Sequence, residues 1–169
     1  MFGDIRKTRL IAFSAAFIGL ICLASWISIP FFPVPLTLQT LFVLLTAIVM
    51  HRYAAIPVAL YVLLGALGLP IFHNGLAGVG VLLGPTGGYL IGFIFAALIA
   101  GIAFENSSKT SRIAGLAGAT LAIYCCGITW LMISTGMEFL PSIMIGMLPF
   151  VPGDIVKAYA AYEISKRLP

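Results

Sequence analysis

Six apolar runs, parted by short polar or proline- and glycine-rich breaks, make up nearly all of this chain. They fall at about 10–29, 36–50, 54–72, 88–104, 113–135 and 140–167. A helix needs ~20 apolar residues to cross the hydrocarbon of a bilayer. The breaks are the proline-rich stretch from Pro30 to Pro35, His51-Arg52, His73-Asn74-Gly75, Glu105 to Arg112, and Gly136-Met137-Glu138. Of the 169 residues, 62% are hydrophobic and only 8% are charged, where a soluble domain carries roughly 25% charged residues. So few charges cannot coat a water-exposed globule, and the excess apolar surface has to face lipid. The expected fold is an all-α integral membrane protein, a six-transmembrane-helix bundle whose single transmembrane domain covers 1–169. The second run is short for a full crossing, which predicts a tilt or a flank of buried non-helical chain.

Charge placement orients this bundle. Arg6, Lys7 and Arg9 precede the first run, Arg52 lies between the second and third, Lys109 and Arg112 between the fourth and fifth, and Lys166 and Arg167 end the sixth. With the N-terminus in the cytoplasm all of them fall inside, and the alternate loops hold no Lys or Arg, as the positive-inside rule requires. Both termini are therefore expected in the cytoplasm, and the net charge of +4 is a topology signal rather than a nucleic-acid footprint. The first run, with basic residues ahead of it, has the outline of a signal peptide. It continues to Ile29 without a small-residue cleavage site, so it reads as the first span. Cys22, Cys125 and Cys126 lie inside apolar runs without metal-ligand spacing and read as packing residues.

Three outward-facing stretches are too apolar for solvated loops and too rich in Pro and Gly for continuous helix: residues 30–40, residues 73–88, and Pro149-Phe150-Val151-Pro152-Gly153. Irregular backbone at membrane depth persists where it is buried in protein or lines a cavity. The three together predict a pocket open to the outside, with the last one breaking the sixth segment into a short outer piece and a main helix.

Asp154 and Lys157 are the most informative pair. An ionisable side chain at the bilayer centre costs ~2.5–3.5 kcal/mol on insertion scales, and residues three apart share a helix face. The pair is therefore expected to face the bundle interior, as a structural ion pair or as a polar ligand site. Thr37, Gln39 and Thr40 open the second span and Asn74 follows the third. Singly they read as caps or a turn, but they share the outer side with Asp154. Tyr89, after Gly87-Gly88, is either a ligand-stacking ring or an interface aromatic. His51 and His73 stand at span ends and read as interfacial.

Enzyme classes find no support. The stretch from Gly75 to Gly88 lacks the Gly-Lys-Ser/Thr ending of a phosphate-binding loop, so the chain is not expected to hydrolyse ATP. His-Glu-x-x-His and Gly-x-Ser-x-Gly are missing, and Asp154 is the sole aspartate within a span, where an aspartyl dyad needs two. Ala12 and Ala16, four apart on the first helix, make a small-residue face that lets another helix approach closely, inside the bundle or from a partner.

Val34-Pro35-Leu36-Thr37-Leu38-Gln39-Thr40, Gly84-Pro85-Thr86-Gly87-Gly88-Tyr89 and Pro149-Phe150-Val151-Pro152-Gly153-Asp154-Ile155-Val156-Lys157 together resemble the BioY family, the biotin-binding substrate subunits (S components) of energy-coupling factor transporters. The three motifs stand in the family's order and spacing over about residues 30–160. The resemblance implies a multi-pass subunit of the cell membrane that captures biotin from outside. It implies partners, a coupling transmembrane subunit and two cytoplasmic ATPases, with no cofactor and biotin as the transported ligand. It places the ligand on Thr37, Gln39, Thr40, Asn74, Tyr89, Asp154 and Lys157, and the coupling subunit on Ala12 and Ala16. Asp154 and Asn74 would accept the ureido hydrogens; Lys157 would donate to the ureido carbonyl or to the carboxylate. His73-Asn74 departs from the small residues the family often has after its Gly-x-Pro-x-Phe stretch. The alternatives are a related vitamin-binding subunit with another ligand, or a self-sufficient facilitator.

Overall fold

The computed structural model describes residues 5–30 and 33–168; Phe31 and Phe32, within the first proline-rich break, lie outside them. Helix α1 (Ile5–Trp26) is followed by a two-residue ladder, β1 (Ser28–Ile29) antiparallel to β2 (Leu36–Thr37), with Ser28 opposite Thr37. Then come α2 (Gln39–Met50), a 3-10 turn at His51–Ala54, and α3 (Ala55–Ala66). An irregular stretch with a short α4 (Val79–Leu83) leads to α5 (Gly87–Phe104) and α6 (Lys109–Thr135), and the chain ends in α7 (Phe139–Gly146) and α8 (Val151–Ser165). Among the described residues, judged by length and apolarity, four helical segments can cross a membrane, or five when the bent pair α7–α8 is taken as one.

One of those segments, Gln39–Ala66, does not run in one direction. The side-chain amide of Gln39, at the start of α2, donates to the hydroxyl of Tyr61, in α3, at 2.7 Å. A continuous helix would hold residues 22 apart at ~33 Å. The reversal is at His51, whose φ of 52° departs from the helical region. Gly101 of α5 packs onto this reversal, where a Cβ would overlap the His51 carbonyl. At the same end, the Arg52 guanidinium clasps Glu105 in a bidentate pair, Nε to Oε1 at 2.6 Å. The second and third runs thus form two separate 12-residue helices joined by a reversal, each ~18 Å long against ~30 Å of hydrocarbon.

The third run, expected to be helical to 72, leaves the helix after Ala66. Gly68 takes a φ of 105° and Pro70 follows, two residues that end helices. The freed backbone does not go unpaired: the Ile71 carbonyl accepts from the Ser25 hydroxyl at 2.8 Å and from the Tyr61 hydroxyl at 2.8 Å. Phe72, fully buried, stands edge-on to the Tyr61 ring. The sixth segment breaks where the prolines predicted, with α7 and α8 inclined at 52° and Pro152 in the first turn of α8, where its missing N–H costs nothing.

Packing follows the rule for membrane bundles, small residues inside and large apolar ones outside. Ala47, Ala96, Ala97, Ala100 and Ala119 are fully buried at helix contacts, while Ile11, Leu23, Leu121, Ile155 and Val156 are more than half exposed. Ala12, Ala15, Ala16 and Gly19 are exposed on α1 while Ser14, Phe17 and Ile21 are buried, so the small-residue face of α1 is turned away from the bundle.

Candidate functional site

A cavity opens between the β1–β2 segment, α2, α5, α6 and the start of α8, with about 60 Å³ open to the centres of water molecules. Val34, Pro35, Leu90, Phe93, Ile123 and Phe150 give it apolar walls; Thr37, Gln39, Thr40, His73, Thr86, Tyr89, Tyr124, Asp154 and Lys157 are its polar lining. A small-molecule pocket of this kind is apolar with a few placed polar groups.

Asp154 is in the first turn of α8, just after the break, which points its carboxylate at the first turn of α2 and the middle of α6. It is 6% exposed. Lys157 Nζ donates to its Oδ1 at 2.9 Å and Thr40 Oγ1 to the same oxygen at 3.2 Å, while the Tyr124 hydroxyl donates to Oδ2 at 2.6 Å. A carboxylate has about four acceptor positions. These donors occupy two on Oδ1 and one on Oδ2, and one position on Oδ2 is left for an incoming N–H. Three charge-assisted bonds compensate the cost of holding the carboxylate out of water.

Lys157 is equally committed. Besides Asp154, its ammonium donates to the Thr37 carbonyl at 2.7 Å and to Thr40 Oγ1 at 3.3 Å. An ammonium has three N–H donors, and all three are in use. The pair therefore presents no free positive charge to a ligand. Gln39, 4% exposed, is held by Tyr61 on one side and accepts from the Thr37 hydroxyl at 3.1 Å on the other. Tyr89 donates its hydroxyl to the Gly146 carbonyl at 2.7 Å. Its ring lies flat against Gly127, where a Cβ would overlap it. It is an inward-facing wall of the cavity rather than an aromatic at the lipid interface.

Six of the seven residues expected at a ligand site thus line one cavity. Asn74 does not. It takes a left-handed conformation, φ 55°, and its side-chain oxygen accepts from the Ser28 hydroxyl at 2.7 Å on the exposed surface. The preceding residue, His73, lines the cavity in its place. Tyr124 was not expected either: a tyrosine within an apolar run has no spacing that marks it, and the available signal was that a phenol at membrane depth needs a partner. Thr86, Phe93 and Phe150 complete the lining; Thr86 and Phe150 belong to motifs already noted for their irregular backbone.

Comparison with known proteins adds what geometry alone leaves open. The model of the BioY family matches residues 3–169. The chain belongs to the BioY family. Among relatives of this BioY-family chain, the biotin transporter BioY of Thermotoga maritima is 43% identical over 155 residues, covering 90% of each chain. The probable biotin transporter BioY of Pyrococcus horikoshii is 39% identical, covering 96% of this chain and 97% of its own. The crystal structure of the S-component for biotin from an ECF-type ABC transporter superposes with a TM-score of 0.85 at 26% identity, covering 99% of this BioY-family chain and 94% of the other. With its apolar helices, this makes the chain a multi-pass membrane protein.

Proposed function

We propose that this chain is the biotin-binding S component of an energy-coupling factor transporter, a binding subunit that works without ATPase chemistry of its own. The observation that carries the reading is a buried carboxylate, Asp154, fixed by three donors in a cavity with one acceptor position open. The ureido ring of biotin has N–H donors of matching chemistry, and its thiophane ring suits the apolar wall of Val34, Leu90, Phe93 and Phe150. The relatives named as biotin transporters and the solved biotin S-component support the ligand. Thr37, Gln39, Thr40, Tyr89, Asp154 and Lys157 are the proposed binding residues. Lys157 acts mainly by holding Asp154 and the β2–α2 backbone in place, because its donors are already occupied.

The proposed topology is six crossings of the cell membrane with both termini in the cytoplasm, supported by the positive charges and by the reversal at His51. The exposed face of Ala12 and Ala16 is the proposed contact for a coupling transmembrane subunit, itself driven by two cytoplasmic ATPases. Biotin would enter from outside over the irregular segments, and hydrolysis in the partner module would drive its release inward.

Calorimetric titration of the purified, biotin-stripped protein with biotin tests the reading. Tight 1:1 binding, lost in Asp154→Asn while the variant still melts cooperatively, is expected. A parent that binds riboflavin or thiamine but not biotin would assign a different vitamin to the same cavity.

A further inference from the structure

We propose that His73 is the counter-charge for the carboxylate of the ligand, so that biotin binding takes up a proton; this rests on the reading of biotin as the ligand. Biotin is an anion at neutral pH, and a cavity that binds an anion away from water needs a positive partner or several free donors. The ionisable residues lining the cavity, among the described ones, are His73, Tyr89, Tyr124, Asp154 and Lys157. The one permanent cation, Lys157, is neutralised by Asp154 and has all three N–H groups occupied. The Tyr89 and Tyr124 hydroxyls are donated to Gly146 and Asp154.

His73 differs from all of these. It lies on the irregular outer segment between α3 and α4, half-buried, and no hydrogen bond to its ring is found among the described residues. The ionisable groups on the elements around it are Cys22 of α1, Tyr61 of α3, Tyr89 of α5, Tyr124 of α6, and Asp154 with Lys157 of α8. Asp154 and Lys157 are paired with one another, Nζ to Oδ1 at 2.9 Å, and the others are phenols and a thiol. Burial holds the His73 imidazole below its ordinary value, so the ligand-free ring is neutral at neutral pH. An anion beside it favours the charged form and raises that value. Between the two values, binding is coupled to proton uptake, and affinity rises as pH falls.

The test is a pair of titrations, biotin against its neutral carboxamide, from about pH 8.5 to about pH 5.5, a window in which an ordinary carboxylate stays ionised. The parent protein is expected to bind biotin roughly tenfold more tightly at the acid end, with the carboxamide unchanged across the range. His73→Ala should bind biotin and carboxamide alike with a flat profile. His73→Arg should restore the preference for biotin, also with a flat profile, because guanidinium does not titrate there. Titration of the parent in buffers of different ionisation heat should show proton uptake with biotin and none with the carboxamide. A flat biotin profile in the parent, or the same slope in His73→Ala, overturns the role of His73 and leaves the biotin reading standing. Failure of both ligands to bind the parent overturns the biotin reading, and this inference with it.

Discussion

Tyr124 and Lys157 both donate to Asp154, yet their removal should read differently. Tyr124→Phe deletes one bond to a buried charged group, worth ~1.5–3 kcal/mol, and leaves two donors on the carboxylate. We expect a folded protein whose biotin affinity falls roughly tenfold, checked by calorimetry beside a thermal melt. Lys157→Ala leaves the carboxylate without its counter-charge, a change that costs ~3–5 kcal/mol for buried pairs, and its melting temperature should fall well below that of Tyr124→Phe. The double variant Asp154→Asn with Lys157→Met carries no stranded charge. It should regain most of the lost stability while still failing to bind biotin, which separates the part of the pair that holds the fold from the part that meets the ligand. At this scale the sequence was informative where chemistry is expensive: a charge in an apolar run has to be explained, and Asp154 and Lys157 were found that way. Tyr124 escaped because a phenol inside an apolar run has no spacing that marks it, and His73 because an imidazole near a span end is cheap; only the fold shows which way each turns.

Among the helices, α5 and α6 lie together closely enough that the Tyr89 ring covers Gly127. Gly127→Val should push that ring off the Gly146 carbonyl, costing ~1–3 kcal/mol by overpacking; the readout is a lower melting temperature together with weakened biotin binding. The Arg52–Glu105 pair makes a smaller and purely conditional contribution. Its arginine holds Glu105 at about 2, below the ordinary 4.5, so the folded state gains from the pair above the ordinary value and loses that gain as pH falls towards 2. Comparing melts of the parent and Glu105→Gln, the difference should be present near neutrality and vanish in strong acid. The break between α7 and α8 was legible because two prolines and a glycine stand in five residues. The ends of α2 and α3 were less so. The apolar pattern of residues 67–72 continues that of α3, and the positive φ of Gly68 with Pro70 after it takes the chain out of the helix.

For the molecule as a whole, the division between an inward cavity and an outward small-residue face predicts that binding and coupling are separable. Ala16→Trp adds bulk to an exposed position of α1 and touches nothing in the cavity. It should leave the affinity for biotin unchanged in detergent and abolish co-purification with a coupling module. The multi-pass character was legible from apolarity and the order of charges, and the polar break at His51-Arg52 marked where residues 39–66 reverse; the contact between Gln39 and Tyr61 that ties the two arms together is one that no periodicity announces.

The bonds that prepare Asp154 for a ligand are also the ones that hold the foot of α8 to α2 and α6. Selection for a foldable chain and selection for vitamin capture therefore act on the same residues. In a lineage that ceased to need the vitamin, the Asp154–Lys157 cluster would be slow to decay, since each single loss strands a charge in the membrane. The exposed alanines of α1 carry no such burden and would drift first. Across genomes, an intact face on α1 should accordingly be the better sign of a working uptake system than an intact polar cluster.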